Sequence, residues 1–132
     1  MKRVAINGFG RIGRCLVRAL FERQLTEEYE LVAINDLADF EVLAHLTRFD
    51  STHGHFSTDV SLAGDHLQIG PWKTRLFQHR SLSSLPCEQL GVDVVIESSG
   101  KFKHREELAA HLTSGAQRVL AAHPVNDADL TV

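Results

Sequence analysis

Cysteine is scarce in this chain, with only Cys15 and Cys87 among 132 residues. Two thiols cannot build a disulfide scaffold, and they fit a reducing compartment, so a cytoplasmic location is expected. Long apolar runs are absent as well. No window approaches the ~18 apolar residues of a membrane span. After the basic start Met1-Lys2-Arg3 the apolar run is only Val4-Ala5-Ile6, short of the ~7–15 residues of a secretory signal. Positive charge is not in excess, with 14 Lys plus Arg against 17 Asp plus Glu and a net charge of −3. A general nucleic-acid binder needs a basic face, so neither nucleic acid nor membrane is expected as a partner.

What remains is ordinary globular composition, 43% hydrophobic and 23% charged, which excludes a disordered tail or a collagenous chain. A chain of this length can bury roughly two thirds of its unfolded surface. One domain over 1–132 is therefore expected. Eight histidines are scattered along it, and the one close pair is His53-Gly54-His55. A zinc site would want further Cys or His ligands at short spacing, and none accompanies the pair, so no metal is expected.

The hydrophobic pattern alternates strand and helix. Arg3–Asn7 is a short apolar run that ends at Gly8 and reads as a buried strand. Ile12, Cys15, Leu16, Ala19 and Leu20 recur at helical spacing and predict a helix over about 11–24, with Cys15 as a small buried hydrophobe on its apolar stripe. Glu30–Asn35 is a second strand, and a helix between two strands supplies the right-handed crossover of a parallel pair. A second helix is predicted from Phe40 to Phe49, followed by a polar loop from Asp50 to Gly54. Val60, Leu62, Leu67 and Ile69 alternate about the turn Ala63-Gly64-Asp65, which predicts an antiparallel hairpin within 56–79. Trp72–Gln78 is a candidate third strand there. Ser81–Leu90 reads as a loop with a helical turn, Asp93–Glu97 as a buried strand, Arg105–Thr113 as a helix and Arg118–Ala122 as a last strand. Leu130-Thr131-Val132 are strand-favouring residues with no turn after them, which predicts a longer parent chain.

The loop Gly8-Phe9-Gly10-Arg11-Ile12-Gly13 carries the chemistry. In a strand–loop–helix unit, the first glycine allows the tight turn. The second lets backbone approach a pyrophosphate, and the third lets helix pack on strand. The helix N-terminus then offers free N–H groups and partial positive charge to the phosphates, with Arg11 and Ile12 at the anion. Asp36 stands at the end of the second strand, roughly 20 residues on, where a carboxylate accepts hydrogen bonds from an adenosine ribose. A 2′-phosphate would be repelled by Asp36, and Leu37 offers no compensating charge. The pattern predicts NAD in preference to NADP. Ser98-Ser99-Gly100 follows the strand expected beside the first one, which places it across the dinucleotide from Gly8 and Gly10. The fold class predicted is α/β, a Rossmann-type doubly wound, mostly parallel sheet with an antiparallel hairpin insertion. Cys87 has no cation beside it in sequence, and no Ser–His–Asp arrangement is visible. The residues bind a cofactor and no nucleophile is identifiable.

The opening Val4-Ala5-Ile6-Asn7-Gly8-Phe9-Gly10-Arg11-Ile12-Gly13-Arg14 resembles the start of the phosphorylating glyceraldehyde-3-phosphate dehydrogenase family. Val32–Asp36, Phe49–Gly54 and Ser98–Phe102 resemble its following signatures, with Ser99 where the family has threonine. Arg80–Pro86, Leu90–Val95 and His123-Pro124 lean toward the erythrose-4-phosphate dehydrogenase branch. The resemblance implies Asn7, Arg11 and Ile12 at the pyrophosphate, Asp36 at the ribose, Arg80 beside the adenine, and Ser98, Ser99 and Gly100 along the cofactor. Ala122 stands where the family has a serine near the nicotinamide half. The resemblance also implies a homotetramer and a sugar-phosphate substrate, D-erythrose 4-phosphate oxidised to 4-phosphoerythronate or, alternatively, glyceraldehyde 3-phosphate. Its reactive cysteine and histidine base would lie beyond residue 132. From the residues alone, a non-catalytic dinucleotide-binding module and another Rossmann-type binder, such as a methyltransferase, stay open.

Overall fold

The computed structural model describes residues 2–50, 54–55, 60–79, 87–98 and 118–121. Its elements are β1 (Lys2–Asn7), α1 (Arg11–Glu22), β2 (Tyr29–Asn35), α2 (Phe40–Arg48), β3 (Phe49–Asp50), β4 (Gly54–His55), β5 (Val60–Ala63), β6 (His66–Ile69), β7 (Trp72–Phe77), α3 (Cys87–Leu90), β8 (Val94–Glu97) and β9 (Arg118–Ala121). Among the described residues seven strands form one sheet in the order β5-β6-β7-β2-β1-β8-β9. The pairs β1–β2, β1–β8, β2–β7 and β8–β9 are parallel. The pairs β5–β6 and β6–β7 are antiparallel. This is the mostly parallel α/β sheet with a hairpin insertion that the sequence predicts.

β1, β2 and β8 are apolar almost throughout because parallel strands are covered on both faces. One face buries Val4, Ile6, Leu31, Ile34, Leu76 and Ile96 together with Val17 of α1 and Leu43 and Ala44 of α2. The other buries Ala5, Val32, Ala33, Phe77, Val92 and Val95. Val32 and Ala33 join the same cluster although they are adjacent, because the β1–β2 register shifts between Val4 and Ala5. The hairpin strands alternate instead. Leu67 and Ile69 are fully buried while Gln68 is exposed. Leu67→Ala is expected to destabilise the protein by about 2–5 kcal/mol, read as a lower denaturant midpoint. An unmoved midpoint would contradict the burial of this strand.

Two readings are corrected. The inward arc of α1 is Gly13, Leu16, Val17, Leu20 and Phe21, not the stripe through Cys15. Each residue turns the helix by about 100°, so once Gly13 must touch β1, Cys15 falls on the far side. Cys15 is accordingly a half-buried free thiol and not a core residue. The second helix ends at Arg48, because Phe49–Asp50 pairs antiparallel with Gly54–His55 within the stretch read as helix end and loop. Trp72–Phe77 is the third strand that the sequence predicts, antiparallel to β6, and through its parallel pairing with β2 it also joins the hairpin to the rest of the sheet. The helix predicted at 105–113 and the His53 of the histidine pair lie outside the described residues.

Candidate functional site

β1 is followed by α1 and then by β2 on one side of it, while the later strand β8 lies on its other side. The strand order therefore reverses at β1. In open α/β sheets the ligand crevice opens at the carboxyl ends of the strands flanking such a reversal. Asn7, Asn35 and Glu97, the last residues of β1, β2 and β8, mark that edge, and Asn7 is the register partner of both others.

The chain leaves β1 through Gly8, whose φ of 88° is in the left-handed region open chiefly to glycine. Its N–H donates to Asn35 O at 2.8 Å. Phe9 is buried and its N–H donates to Asp36 Oδ2 at 2.8 Å. Gly10 begins α1 as an exposed N-cap residue with no side-chain cap, and the first turn holds no acidic residue. A Cβ built on Gly10 would meet nothing within 4 Å. The residue that leads into the helix thus has open space where a side chain would stand. Gly13 is the opposite case. A Cβ there would lie 3.1 Å from Ile6 Cγ2, 3.2 Å from Gly8 O and 3.3 Å from Ser98 Oγ. Gly13 thus packs helix on strand as the sequence predicts, while Gly10 stands open.

Asp36 is held rather than loose. Its Oδ1 accepts from Ala38 N at 2.9 Å, and its own N–H donates to Phe77 O at 3.0 Å. Each carboxylate oxygen has a further lone pair, so Asp36 could still accept from two hydroxyl groups. Ser98 closes the other side. Its N–H donates to Asn7 O at 2.9 Å, and its hydroxyl donates to Gly8 O at 2.5 Å. The structure therefore brings Gly8, Phe9, Gly10, Gly13, Asp36 and Ser98 together. Arg11 and Ile12 begin α1 directly after Gly10. Asn7 lies beneath the loop, 4% exposed, with its side chain spent on Asn35 and Glu97. Arg80, Ser99 and Gly100 lie outside the described residues.

Two residues of the edge escape a reading by motif, namely Asn35 and Glu97. Glu97 is fully buried and its Oε1 accepts from Asn7 Nδ2 at 2.6 Å. Asn35 reaches Asn7 Oδ1 at 2.7 Å and brackets the backbone of His79. The available signal is that three apolar strands each end in a polar residue. Among the described residues no three His, Cys, Asp or Glu side chains gather to hold a metal ion. Among them, too, no helix is long and apolar enough to cross a membrane.

An uncapped helix start, an open glycine before it, a third glycine with little room for a Cβ and a carboxylate one strand over fit an adenine dinucleotide. Fold and site together define a Rossmann-type dinucleotide-binding domain. The family model for the glyceraldehyde 3-phosphate dehydrogenase NAD binding domain matches residues 2–105. The glyceraldehyde-3-phosphate dehydrogenase of Xanthobacter flavus is 49% identical over 130 residues, which make up 98% of this chain and 38% of that relative. The chain belongs to the glyceraldehyde-3-phosphate dehydrogenase family, as its NAD-binding domain, and its cofactor is NAD.

Proposed function

We propose that the complete protein is an NAD-dependent dehydrogenase of a phosphorylated aldehyde, in which this chain holds the cofactor. The observation that carries the reading is the glycine turn latched to Asp36 at the sheet's switch point. When bound, NAD accepts a hydride from the substrate. The chain's own residues bind and orient it. The amides after Gly10 take the pyrophosphate, Asp36 takes the adenosine ribose, and Ser98 keeps the turn closed on β8. Arg80 beside the adenine, and Ser99 and Gly100 along the cofactor, belong to the same proposal. The nucleophile is a cysteine outside residues 1–132, and a cytoplasmic homotetramer goes with this reading.

For the substrate we favour D-erythrose 4-phosphate, on the segments Arg80–Pro86, Leu90–Val95 and His123-Pro124. Glyceraldehyde 3-phosphate is the second reading, and the name of the Xanthobacter flavus relative speaks for it. Comparing kcat/KM for the two aldehydes, with and without inorganic phosphate, separates them. The expected result is a higher value for erythrose 4-phosphate, with turnover persisting when phosphate is omitted. Preference for glyceraldehyde 3-phosphate with a strict need for phosphate would move the protein to the glycolytic reading.

A further inference from the structure

Across the carboxyl edge of the sheet runs a chain of side-chain hydrogen bonds. Asn7 Nδ2 donates to Glu97 Oε1 at 2.6 Å, and Asn35 Nδ2 donates to Asn7 Oδ1 at 2.7 Å. Asn35 Nδ2 also donates to His79 O at 2.9 Å, while Asn35 Oδ1 accepts from His79 N at 2.8 Å. It links the ends of β8, β1 and β2 to the exit of β7. Glu97, Asn7 and Asn35 are 0%, 4% and 4% exposed.

At His79 this chain has fixed polarity. The His79 N–H can only donate and its C=O can only accept, so Asn35 has one amide orientation. Its remaining hydrogen then requires Asn7 to present Oδ1, which turns Asn7 Nδ2 toward residue 97. That residue must accept there, and a carboxylate does. A reversed amide anywhere in the chain would set donor against donor away from water, which buried groups rarely tolerate.

The backbone of the same residues shapes the cofactor site. Asn35 O takes the Gly8 N–H, Asn7 O takes the Ser98 N–H, and the Ser98 hydroxyl closes on Gly8 O. His79 immediately precedes Arg80. We propose that Glu97 is a positioning residue for NAD. As the acceptor that this polarity-matched chain requires, it holds Asn7 in the orientation that His79 and Asn35 impose, and so steadies the Gly8 turn, Ser98 and His79. The inference rests on the NAD reading, although none of the three side chains need touch the dinucleotide.

A swap of polarity in the complete protein tests it. Asn7→Asp sets two acceptors face to face and is expected to lower NAD affinity by about 30-fold, or to prevent folding. Glu97→Gln alone is expected to lower it about threefold. Combining the two restores a donor at 97 for the new carboxylate at 7, which still accepts from Asn35. The double variant is expected to return to within about fivefold of the parent. Calorimetry reads the affinity. Amide exchange in the NAD-free protein reads the peptides containing Gly8 and His79, which should exchange faster in Asn7→Asp and slow again in the double variant. A double variant no better than Asn7→Asp, or one that stays unfolded, would overturn the proposal. So would parental NAD affinity in Asn7→Asp. A chain serving stability alone would lower Tm and leave NAD affinity unmoved, which also counts against it. Should the parent protein not bind NAD, the cofactor reading fails, and the exchange pattern still decides whether the chain holds the turn.

Discussion

Gly13→Val is expected to lower NAD affinity by about 100-fold or more, with a clear loss of thermal stability. The first added carbon already meets Ile6 Cγ2 at 3.1 Å, Gly8 O at 3.2 Å and Ser98 Oγ at 3.3 Å. One of these is backbone, another is a buried β1 side chain, and the third is fixed by its own bond to Gly8 O. None is a flexible tip that swings aside. Overpacking of this kind costs about 1–3 kcal/mol. Replacing a helical glycine by alanine returns up to about 1 kcal/mol of helix propensity, so Gly13→Ala is the milder case. Valine adds two methyl groups and forgoes part of that return. The relief available is for α1 to lift from β1, and that moves the N–H groups after Gly10 away from the phosphates. Both readouts, calorimetric NAD affinity and Tm, should fall in the order glycine, alanine, valine. Parental affinity in Gly13→Val would show that close packing of α1 is not what forms the cradle.

Asp36→Ala is expected to weaken NAD by about 10- to 150-fold, because a hydrogen bond to a charged group is worth roughly 1.5–3 kcal/mol. The structure adds a second reason to the ribose contact. Asp36 latches Phe9 N at 2.8 Å and Ala38 N at 2.9 Å, so its loss frees the glycine turn as well. Asp36→Asn keeps one oxygen and satisfies one of those two amides. Its expected loss is smaller, about tenfold. The same substitution removes the charge that repels a 2′-phosphate, so the ratio of NAD to NADP affinity should fall in both variants. Calorimetry with the two cofactors reads both effects. An unchanged affinity for NAD in Asp36→Ala would remove the residue from the site.

The first βαβ unit is legible in the sequence because three independent signals coincide there. An apolar run stops at Gly8, the glycines follow at fixed spacing, and a helical period begins at once. Asp36 is legible for the same reason, since its place follows from the unit. The rotation of α1 is not, because period alone gives two adjacent apolar arcs. The contact of Gly13 with Ile6 chooses between them. The β3–β4 pair is hidden because two-residue strands carry no period. β7 is legible as the third hairpin strand, but its pairing with β2 is not, because alternation does not say which neighbour a strand's second edge will find. The chain of Glu97, Asn7 and Asn35 is the furthest from view. Its members are adjacent only through strand register, and each taken singly is an ordinary polar residue ending a strand.

The central claim is that the Gly8–Gly13 turn and Asp36 hold the pyrophosphate and adenosine ribose of NAD. A crystal structure of the complete protein with NAD tests it most directly. Pyrophosphate oxygens should sit within hydrogen-bonding distance of the Arg11 and Ile12 amides, with the adenosine ribose hydroxyls on Asp36 while Phe9 N stays latched to it. A dinucleotide anchored elsewhere, or one whose ribose leaves Asp36 untouched, would contradict the account.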